Sequence, residues 1–251
     1  MGIGFDLVER VNAGARNAGV VASVDQFDNL ATHAQYRVPY ELAARYVSTG
    51  EHVLDWGCGN GHFSMFLKLI GARVTGYSFE DAPASMAGPG SFAHVRGDDA
   101  DPRRIPFASA TFQCVCSVGV LEHVWETGGD EPSSLREIAR ILQPGGTFLT
   151  FHLPNRFGWV EPVFRLVRKN WHFHQRRYDS AQIHALWKAA GLEVVEIGTY
   201  NFFPRNHVRF LPDVIRRSVR FARAYEALDS VFSRLLPPLS TNFFVVGRKQ
   251  P

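Results

Sequence analysis

Three glycines at alternate positions follow an acidic residue in the stretch Asp55-Trp56-Gly57-Cys58-Gly59-Asn60-Gly61. Glycine has no Cβ and adopts positive φ without strain, so such a loop lets the backbone approach a ligand closely. The amide groups that open a following helix can point at polar ligand atoms. The third glycine of the dinucleotide pattern G-x-G-x-x-G would fall on His62, which disfavours NAD. The loop therefore predicts a different nucleotide-like cofactor.

The elements around this loop alternate between strands and helices. A short apolar strand precedes the loop, and apolar spacing predicts a helix over 63–70 and a second strand over 72–77. Further strands are predicted over 110–117, 147–152, 192–197 and 242–246, with helices over 39–48, 134–142 and from 179 to about 191. Ligands of open α/β sheets bind beyond the carboxyl ends of the strands, where this loop lies.

Two motifs resemble one enzyme family. The glycine loop resembles the D-x-G-x-G-x-G pattern of class I S-adenosylmethionine (SAM)-dependent methyltransferases, and the resemblance covers roughly residues 35–204 and the last strand. Val118-Gly119-Val120-Leu121-Glu122-His123-Val124 resembles the V-L-E-H-V signature of their small-molecule branch, which includes methyltransferase type 11 and ubiquinone-biosynthesis enzymes. The resemblance implies a Rossmann-like α/β fold with a seven-stranded sheet, helices on both faces and an antiparallel end.

The resemblance also implies SAM as cofactor and assigns residues to it. In the family, the loop that holds Gly57, Cys58, Gly59 and Gly61 surrounds the methionine part of SAM, and the acid at Asp55 holds its amino group. The family normally has an acid for the ribose hydroxyls at the end of the second strand. Ser78 stands there in this chain, and Glu80, two residues later, is the alternative or else a solvated loop charge.

Five further residues are placed near the cofactor by the same resemblance. Asp98 stands where the family offers a carboxylate to the adenine amino group, with Asp99 beside it, although two acids in a turn are also ordinary turn formers. Val118 opens the segment that lies against the adenosine. Tyr36 and Arg37 stand where the N-terminal cover of the family would touch the cofactor carboxylate, or else are ordinary surface-helix residues.

Two histidines are candidates for a catalytic base on the acceptor side. His152 ends the predicted fifth strand, and His174 lies in an aromatic and basic segment between Trp159 and Tyr178. This segment is interpreted as a substrate cover, and a net charge of +3 gives little support to nucleic-acid binding. His172 and His174 have no acidic or cysteine partner close in sequence, so no metal site is predicted.

The chain is predicted to form one domain, residues 1–251, with a helical cover (1–50), a core (51–204), a helical insertion (205–240) and the last strand (241–251). Between Arg205 and Arg223 there are six arginines and one aspartate, a local charge of +5. The insertion either packs on the core or contacts an anionic membrane surface, and both interpretations stay open.

Composition sets the remaining bounds. A chain of 251 residues with 45% hydrophobic content can bury a sizeable core. The first residues lack the basic start and long apolar run of a signal peptide, so none is expected, and no apolar stretch of 18 residues is present to predict a membrane span. Three cysteines without metal or disulfide spacing suit a reducing compartment, so a cytoplasmic protein is predicted, either free or peripheral at the membrane.

The function predicted from the sequence is methyl transfer to an oxygen, nitrogen or carbon of a small-molecule or lipid-like acceptor. A SAM-fold protein that binds a ligand or partner without catalysis is the alternative, and an NAD-dependent oxidoreductase is a less favoured one. The sequence predicts neither the acceptor nor the oligomeric state.

Overall fold

A seven-stranded sheet with the order β3-β2-β1-β4-β5-β7-β6 forms the centre of the computed structural model, which describes residues 3–17, 29–83, 86, 92–167 and 174–250. The strands are β1 His52–Trp56, β2 Arg73–Ser78, β3 Phe92–Arg96, β4 Phe112–Val118, β5 Leu142–Pro154, β6 Leu192–Tyr200 and β7 Asn242–Lys249. Strands β1 to β5 run parallel to one another, whereas β7 is antiparallel to β5 and β6. The predicted fold class is confirmed.

Helices cover both faces of the sheet. In the described residues they are α1 Ile3–Asn17, α2 Leu30–His33, α3 Arg37–Tyr46, α4 His62–Leu69, α5 Glu131–Ile141, α6 Val160–Val167, α7 Ser180–Ala189, α8 Asp213–Arg216 and α9 Val219–Leu235. The 3-10 turns are Ala34–Tyr36, Leu121–Thr127, Arg205–Phe210 and Pro237–Leu239. The helix predicted after Asp179 begins with a capping box, in which Asp179 accepts from the amide of Gln182 and the Gln182 side chain accepts from the amide of Asp179.

Two apolar cores lie on opposite faces of the sheet. Helices α1, α3 and α4 enclose one core, where the rings of Tyr40 and Phe66 stack at 4.1 Å. Helices α5 and α7 enclose the other, where Trp187 stacks on Phe148 at 5.8 Å. A Cβ at Gly247 would lie 2.6 Å from Nε1 of Trp187, so glycine leaves the space that this indole occupies against β7. These cores fix the strands whose carboxyl ends carry the site.

Helices α8 and α9 form the predicted insertion between β6 and β7, but the inward face of α9 is largely polar. Ala222, Glu226 and Asp229 are its buried residues. Leu228 and Leu235, two apolar residues of α9, are 55% and 70% exposed. The inward face of α9 is polar because two of its carboxylates pair with arginines from other elements.

Those pairs form a buried ion cluster of Arg37, Arg205, Glu226 and Asp229. Arg205 is 4% exposed, and its guanidinium pairs with Glu226 and, at 3.0 Å, with Asp229. Arg37 donates to the other Glu226 oxygen at 2.5 Å. The cluster joins α3, the segment after β6, and α9. Arg205 therefore adds no charge to the surface of the insertion, and Arg37 lies away from the predicted cofactor contact.

No helix in the described part of the chain has both the length and the apolar character that crossing a membrane requires.

Candidate functional site

Three cavities meet at the carboxyl edge of the sheet. The loop cavity, about 360 Å³, lies over the glycine loop between Tyr36 and Val118. The strand cavity, about 250 Å³, lies over the ends of β1, β2 and β4. The histidine cavity, about 260 Å³, is lined by His123, His152, His174 and His207, with Glu122 and Glu161 beside them. Gly57, Gly59 and Glu80 line both of the first two cavities, and Gly119 and His123 line the second and third.

The glycine loop has the backbone that its sequence predicts. Gly57, Gly59 and Gly61 have φ values of +76°, +45° and +81°. A Cβ on Gly57 would lie 2.3 Å from Cγ2 of Val120, so this position has no room for a side chain. A Cβ on Gly59 would find only the Gly57 carbonyl oxygen, 4.0 Å away, so the space beside Gly59 is open. Gly61 is the N-cap of α4 and lies outside the lining of the three cavities.

Asp55 places a carboxylate at the floor of the loop cavity. The residue is 1% exposed, and Oδ2 accepts a hydrogen bond from the Ser64 hydroxyl at 2.5 Å. Burial raises the pKa of Asp55 to about 6, against the lowering effect of that hydrogen bond. A cation bound here would favour the ionised form.

Ser78 lines the strand cavity, whereas Glu80 lines both the strand cavity and the loop cavity. The Ser78 hydroxyl donates to the Glu80 carbonyl oxygen at 3.2 Å and lies 3.1 Å from Nε2 of His94. Glu80 is exposed at the border of the loop and strand cavities. Glu80 is thus the carboxylate that the fold brings to this border, while the Ser78 side chain is occupied by local contacts.

Asp98 and Asp99 lie outside the lining of these cavities. Asp98 is exposed and accepts from the amide of Ala100 at 2.9 Å, the geometry of an ordinary Asx turn. Asp99 pairs with Arg96 at 3.1 Å. Among the residues predicted for the cofactor, the structure brings together Tyr36, Asp55, Gly57, Cys58, Gly59, Glu80 and Val118 around the loop cavity.

A buried aromatic network lies behind the loop cavity, and the sequence did not predict it. The Tyr40 hydroxyl lies 2.7 Å from Nε2 of both His33 and His62. The Tyr36 ring is 4.1 Å from the His62 ring and 5.0 Å from that of His152. Burial lowers the pKa of His33 to about 3 and that of His62 well below its usual value. Neutral imidazoles therefore connect the loop cavity with the histidine cavity.

His152 occupies a strained position near the end of β5. Its φ of +60° is uncommon for a residue other than glycine, and such strain concentrates at functional sites. Its backbone amide donates to the Tyr200 hydroxyl at 2.9 Å, and its Nδ1 lies 2.6 Å from the same oxygen. Nε2 is buried without a hydrogen-bond partner in the described part of the chain. Burial lowers the pKa of His152 to about 3, so the ring is neutral at physiological pH.

The second predicted base, His174, also lines the histidine cavity. Its Nδ1 lies 3.6 Å from Oε2 of Glu161, and its ring centre lies 5.8 Å from that of His123. Glu122 is 3% exposed in the same cavity, and burial raises its pKa to about 7. Its place in the V-L-E-H-V string was the only signal that could have identified it. His172 lies outside the described residues.

Comparison with known proteins gives relatives that are named as methyltransferases. The chain is 29% identical over 167 residues to a Mycolicibacterium smegmatis protein named "Probable S-adenosylmethionine-dependent methyltransferase", covering 64% of this chain and 58% of the relative. It is 31% identical over 167 residues to a ubiquinone biosynthesis O-methyltransferase of Marinobacter nauticus, covering 61% and 68%. The matched region thus spans little more than half of the first relative.

The fold is shared with a solved structure of low sequence identity. A chain in the complex between the Haloferax volcanii Trm112 methyltransferase activator and a methyltransferase superposes with a TM-score of 0.60 at 19% identity. The match covers 94% of this chain and 96% of the other.

The family of methyltransferase domains matches residues 29–197, well over half of the chain. This match includes the glycine loop and the V-L-E-H-V string, and it confirms the resemblance and its implied cofactor, SAM. The chain belongs to the family of methyltransferase domains.

Proposed function

We propose that this protein transfers the methyl group of SAM to an oxygen, nitrogen or carbon atom of a small-molecule acceptor. The observation that carries the proposal is the open space beside Gly59, above the buried carboxylate of Asp55 and next to a separate cavity lined by histidines. One region suits a cationic, nucleotide-like donor, and the other suits an acceptor.

The residues of the loop cavity fit SAM. The glycine loop and Asp55 would hold its methionine part, and Glu80 would reach the ribose from the border with the strand cavity. Asp98 and Asp99 are kept as adenine contacts only on the family resemblance. When bound, SAM supplies a methyl group that is already activated on a sulfonium.

The histidine cavity would orient the acceptor and receive its proton. With a proton on Nδ1, His152 donates to the Tyr200 oxygen and leaves the Nε2 lone pair available. A hydroxyl acceptor can then lose its proton to Nε2 as its oxygen gains the methyl group. His174 is the second candidate for this role. A weak base is sufficient, because alignment of the reacting atoms supplies most of the rate.

Two segments would enclose these cavities around the core of residues 51–204. Residues 1–50 supply Tyr36 and Gln35, and residues 205–240 supply Arg205 and His207 to cavity linings. Such covers exclude water from the reacting atoms. This division of one domain into core, cover, insertion and last strand is part of the proposal.

One pair of measurements tests the function. Calorimetric titration with SAM should show one binding site. Incubation of a metabolite extract with the enzyme and SAM carrying a deuterated methyl group should reveal, by mass spectrometry, a metabolite that gains the label. SAM binding without any labelled metabolite would support the non-catalytic alternative, and absence of SAM binding would refute the proposal.

The insertion is also proposed to contact an anionic membrane surface. Leu228, Val231 and Leu235 form an exposed apolar stripe on α9, with 55%, 50% and 70% exposure. Arg217 and Arg220 are exposed on the same insertion. Arginines near an anionic bilayer contribute about 1 kcal/mol each.

Replacing Leu228 and Leu235 by Ser, and separately Arg217 and Arg220 by Gln, should reduce sedimentation with phosphatidylserine-containing liposomes. SAM affinity should stay unchanged in both variants. Equal liposome binding by wild type and both variants would leave the stripe without this role.

A further inference from the structure

A carboxylate and two imidazoles converge at one wall of the histidine cavity. Glu122 and His123 belong to the 3-10 turn Leu121–Thr127 that follows β4, and His174 comes from the segment before α7. One ligand atom from each residue lies within 4.8 Å of the others. We call this group the Glu-His-His cluster.

Glu122 gives the cluster a buried carboxylate that lacks a full set of contacts. The residue is 3% exposed, and its Oε2 has no hydrogen-bond partner in the described part of the chain. A buried polar atom without a partner is costly, so a ligand that satisfies this oxygen would stabilise the site. The other oxygen, Oε1, lies 4.0 Å from Nε2 of His123.

Both imidazoles of the cluster have a second carboxylate behind them. Nδ1 of His123 lies 2.8 Å from Oε1 of Glu126, and Nδ1 of His174 lies 3.6 Å from Oε2 of Glu161. Histidines that bind metal ions commonly direct one ring nitrogen to a carboxylate, which orients the ring and directs the other nitrogen to the ion. Glu126 is at hydrogen-bond distance from His123 in this arrangement, and Glu161 lies just beyond that distance from His174.

We propose that Glu122, His123 and His174 bind one divalent transition-metal ion. Two imidazoles and one carboxylate are the ligand set of open zinc and iron sites, whereas magnesium prefers oxygen ligands. Ligand atoms about 2.1 Å from a tetrahedral ion lie about 3.4 Å apart. Because the ligand atoms of the cluster lie within 4.8 Å of one another, the most distant pair needs to close by up to about 1.4 Å on binding.

The ion would lie where the acceptor cavity meets the cofactor side. His123 lines both the histidine cavity and the strand cavity. An ion with an open coordination position can bind a hydroxyl oxygen of the acceptor and lower its pKa. This would favour acceptors with an oxygen that can coordinate. Only this role rests on the proposed function, because metal binding itself does not require methyl transfer.

Metal binding can be tested on the full chain without an affinity tag. Metal-free protein is titrated with Co²⁺, followed by its visible absorption, and with Zn²⁺ in calorimetry. Wild type should bind one equivalent of each ion, and millimolar Mg²⁺ should not compete. Glu122→Gln and His174→Ala should each weaken binding at least tenfold, about 1.4 kcal/mol. His184→Ala, which removes an exposed histidine on α7, should bind like wild type.

Absence of a one-equivalent site, displacement by Mg²⁺, or equal affinity in all variants would overturn this proposal. Titration of the same preparations with SAM keeps the two proposals separate. Loss of SAM binding with intact Co²⁺ binding would refute only the proposed function. Glu122→Gln preserves side-chain size, and His174 is partly exposed, so unchanged thermal unfolding of either variant shows that the fold is retained.

Discussion

The two sides of the site are built in different ways. The loop cavity takes most of its lining from one stretch, Asp55 to Phe63, whose loop backbone follows from its glycines, and adds Tyr36, Glu80 and Val118. The histidine cavity takes Glu122, His152, His174 and Asn201 from separate parts of the chain. A ligand that is recognised largely by backbone needs a contiguous motif. A ligand that is recognised by side chains needs only that the fold bring them together.

The largest effect is expected from replacing His152. This variant tests whether a residue of the histidine cavity accepts the proton of the acceptor. Asn tolerates positive φ, so His152→Asn should keep the backbone and remove the imidazole. Loss of a general base should slow methyl transfer by about 100- to 10,000-fold. The rate is measured as the S-adenosylhomocysteine formed in the presence of the metabolite extract. SAM affinity should not change.

Tyr200→Phe is the companion variant, because it removes the hydroxyl that holds Nδ1 of His152. It should slow turnover less and shift its pH profile. Full turnover in His152→Asn would show that the acceptor needs no base from this residue.

The second-largest effect is expected in the glycine loop. It tests whether SAM binding depends on the open space beside the backbone of Gly59. Gly59→Val places a side chain in the open space and should weaken SAM binding in calorimetry by at least about 100-fold. Gly50→Val is the matched control, since Gly50 also has positive φ, at +82°, and a Cβ at this position would meet nothing within 4 Å. If both variants bind SAM equally weakly, general backbone strain explains the weaker binding. If Gly59→Val binds SAM as tightly as wild type, the loop cavity is not the SAM site.

A third, smaller effect is expected at Asp55. Asp55→Asn should weaken SAM binding by about 10- to 100-fold, because a hydrogen bond to a charged group contributes about 1.5–3 kcal/mol. The wild-type carboxyl has a pKa of about 6, raised by burial, so it becomes protonated at higher pH than a free aspartate. SAM affinity should therefore fall as the pH drops below about 6 and stay flat in Asp55→Asn.

Ser64→Ala sharpens this test. The Ser64 hydrogen bond lowers the Asp55 pKa, so its removal should move the decline in affinity to higher pH. A wild-type affinity that is independent of pH would exclude Asp55 as the partner of the SAM amino group.

The smallest effect is expected when the SAM affinities of Glu80 and Asp98 variants are compared. Glu80→Gln should weaken SAM binding by about 2- to 10-fold, the range of one net hydrogen bond. Asp98→Asn should have less effect, because Asp98 is exposed and bonded to Ala100. The opposite order in calorimetry would restore the adenine contact that the family resemblance assigns to Asp98.

The sequence predicted the sheet, the glycine loop and the helix after Asp179, because local spacing determines each of them. It did not identify Tyr200 as the partner of His152, a contact between residues 48 positions apart. It also treated Arg205 as part of a surface charge, whereas burial of Glu226 and Asp229 beside it depends on how the insertion docks. In both cases the sequence shows which residue is present, but the partners of that residue depend on tertiary packing.

The buried ion cluster has a consequence for protein engineering and for evolution. Arg37 lies 189 residues from Glu226, and Arg205 precedes α9, so a chimera that exchanges only α9 would leave Arg205 buried without its ion-pair partners and Arg37 paired with Glu41 alone. Breaking a buried pair in this way costs about 3–5 kcal/mol, a large part of a typical domain's stability. Recombinant proteins with new acceptor specificities are therefore expected to take the N-terminal helices, the turn after β6 and α9 from the same parent.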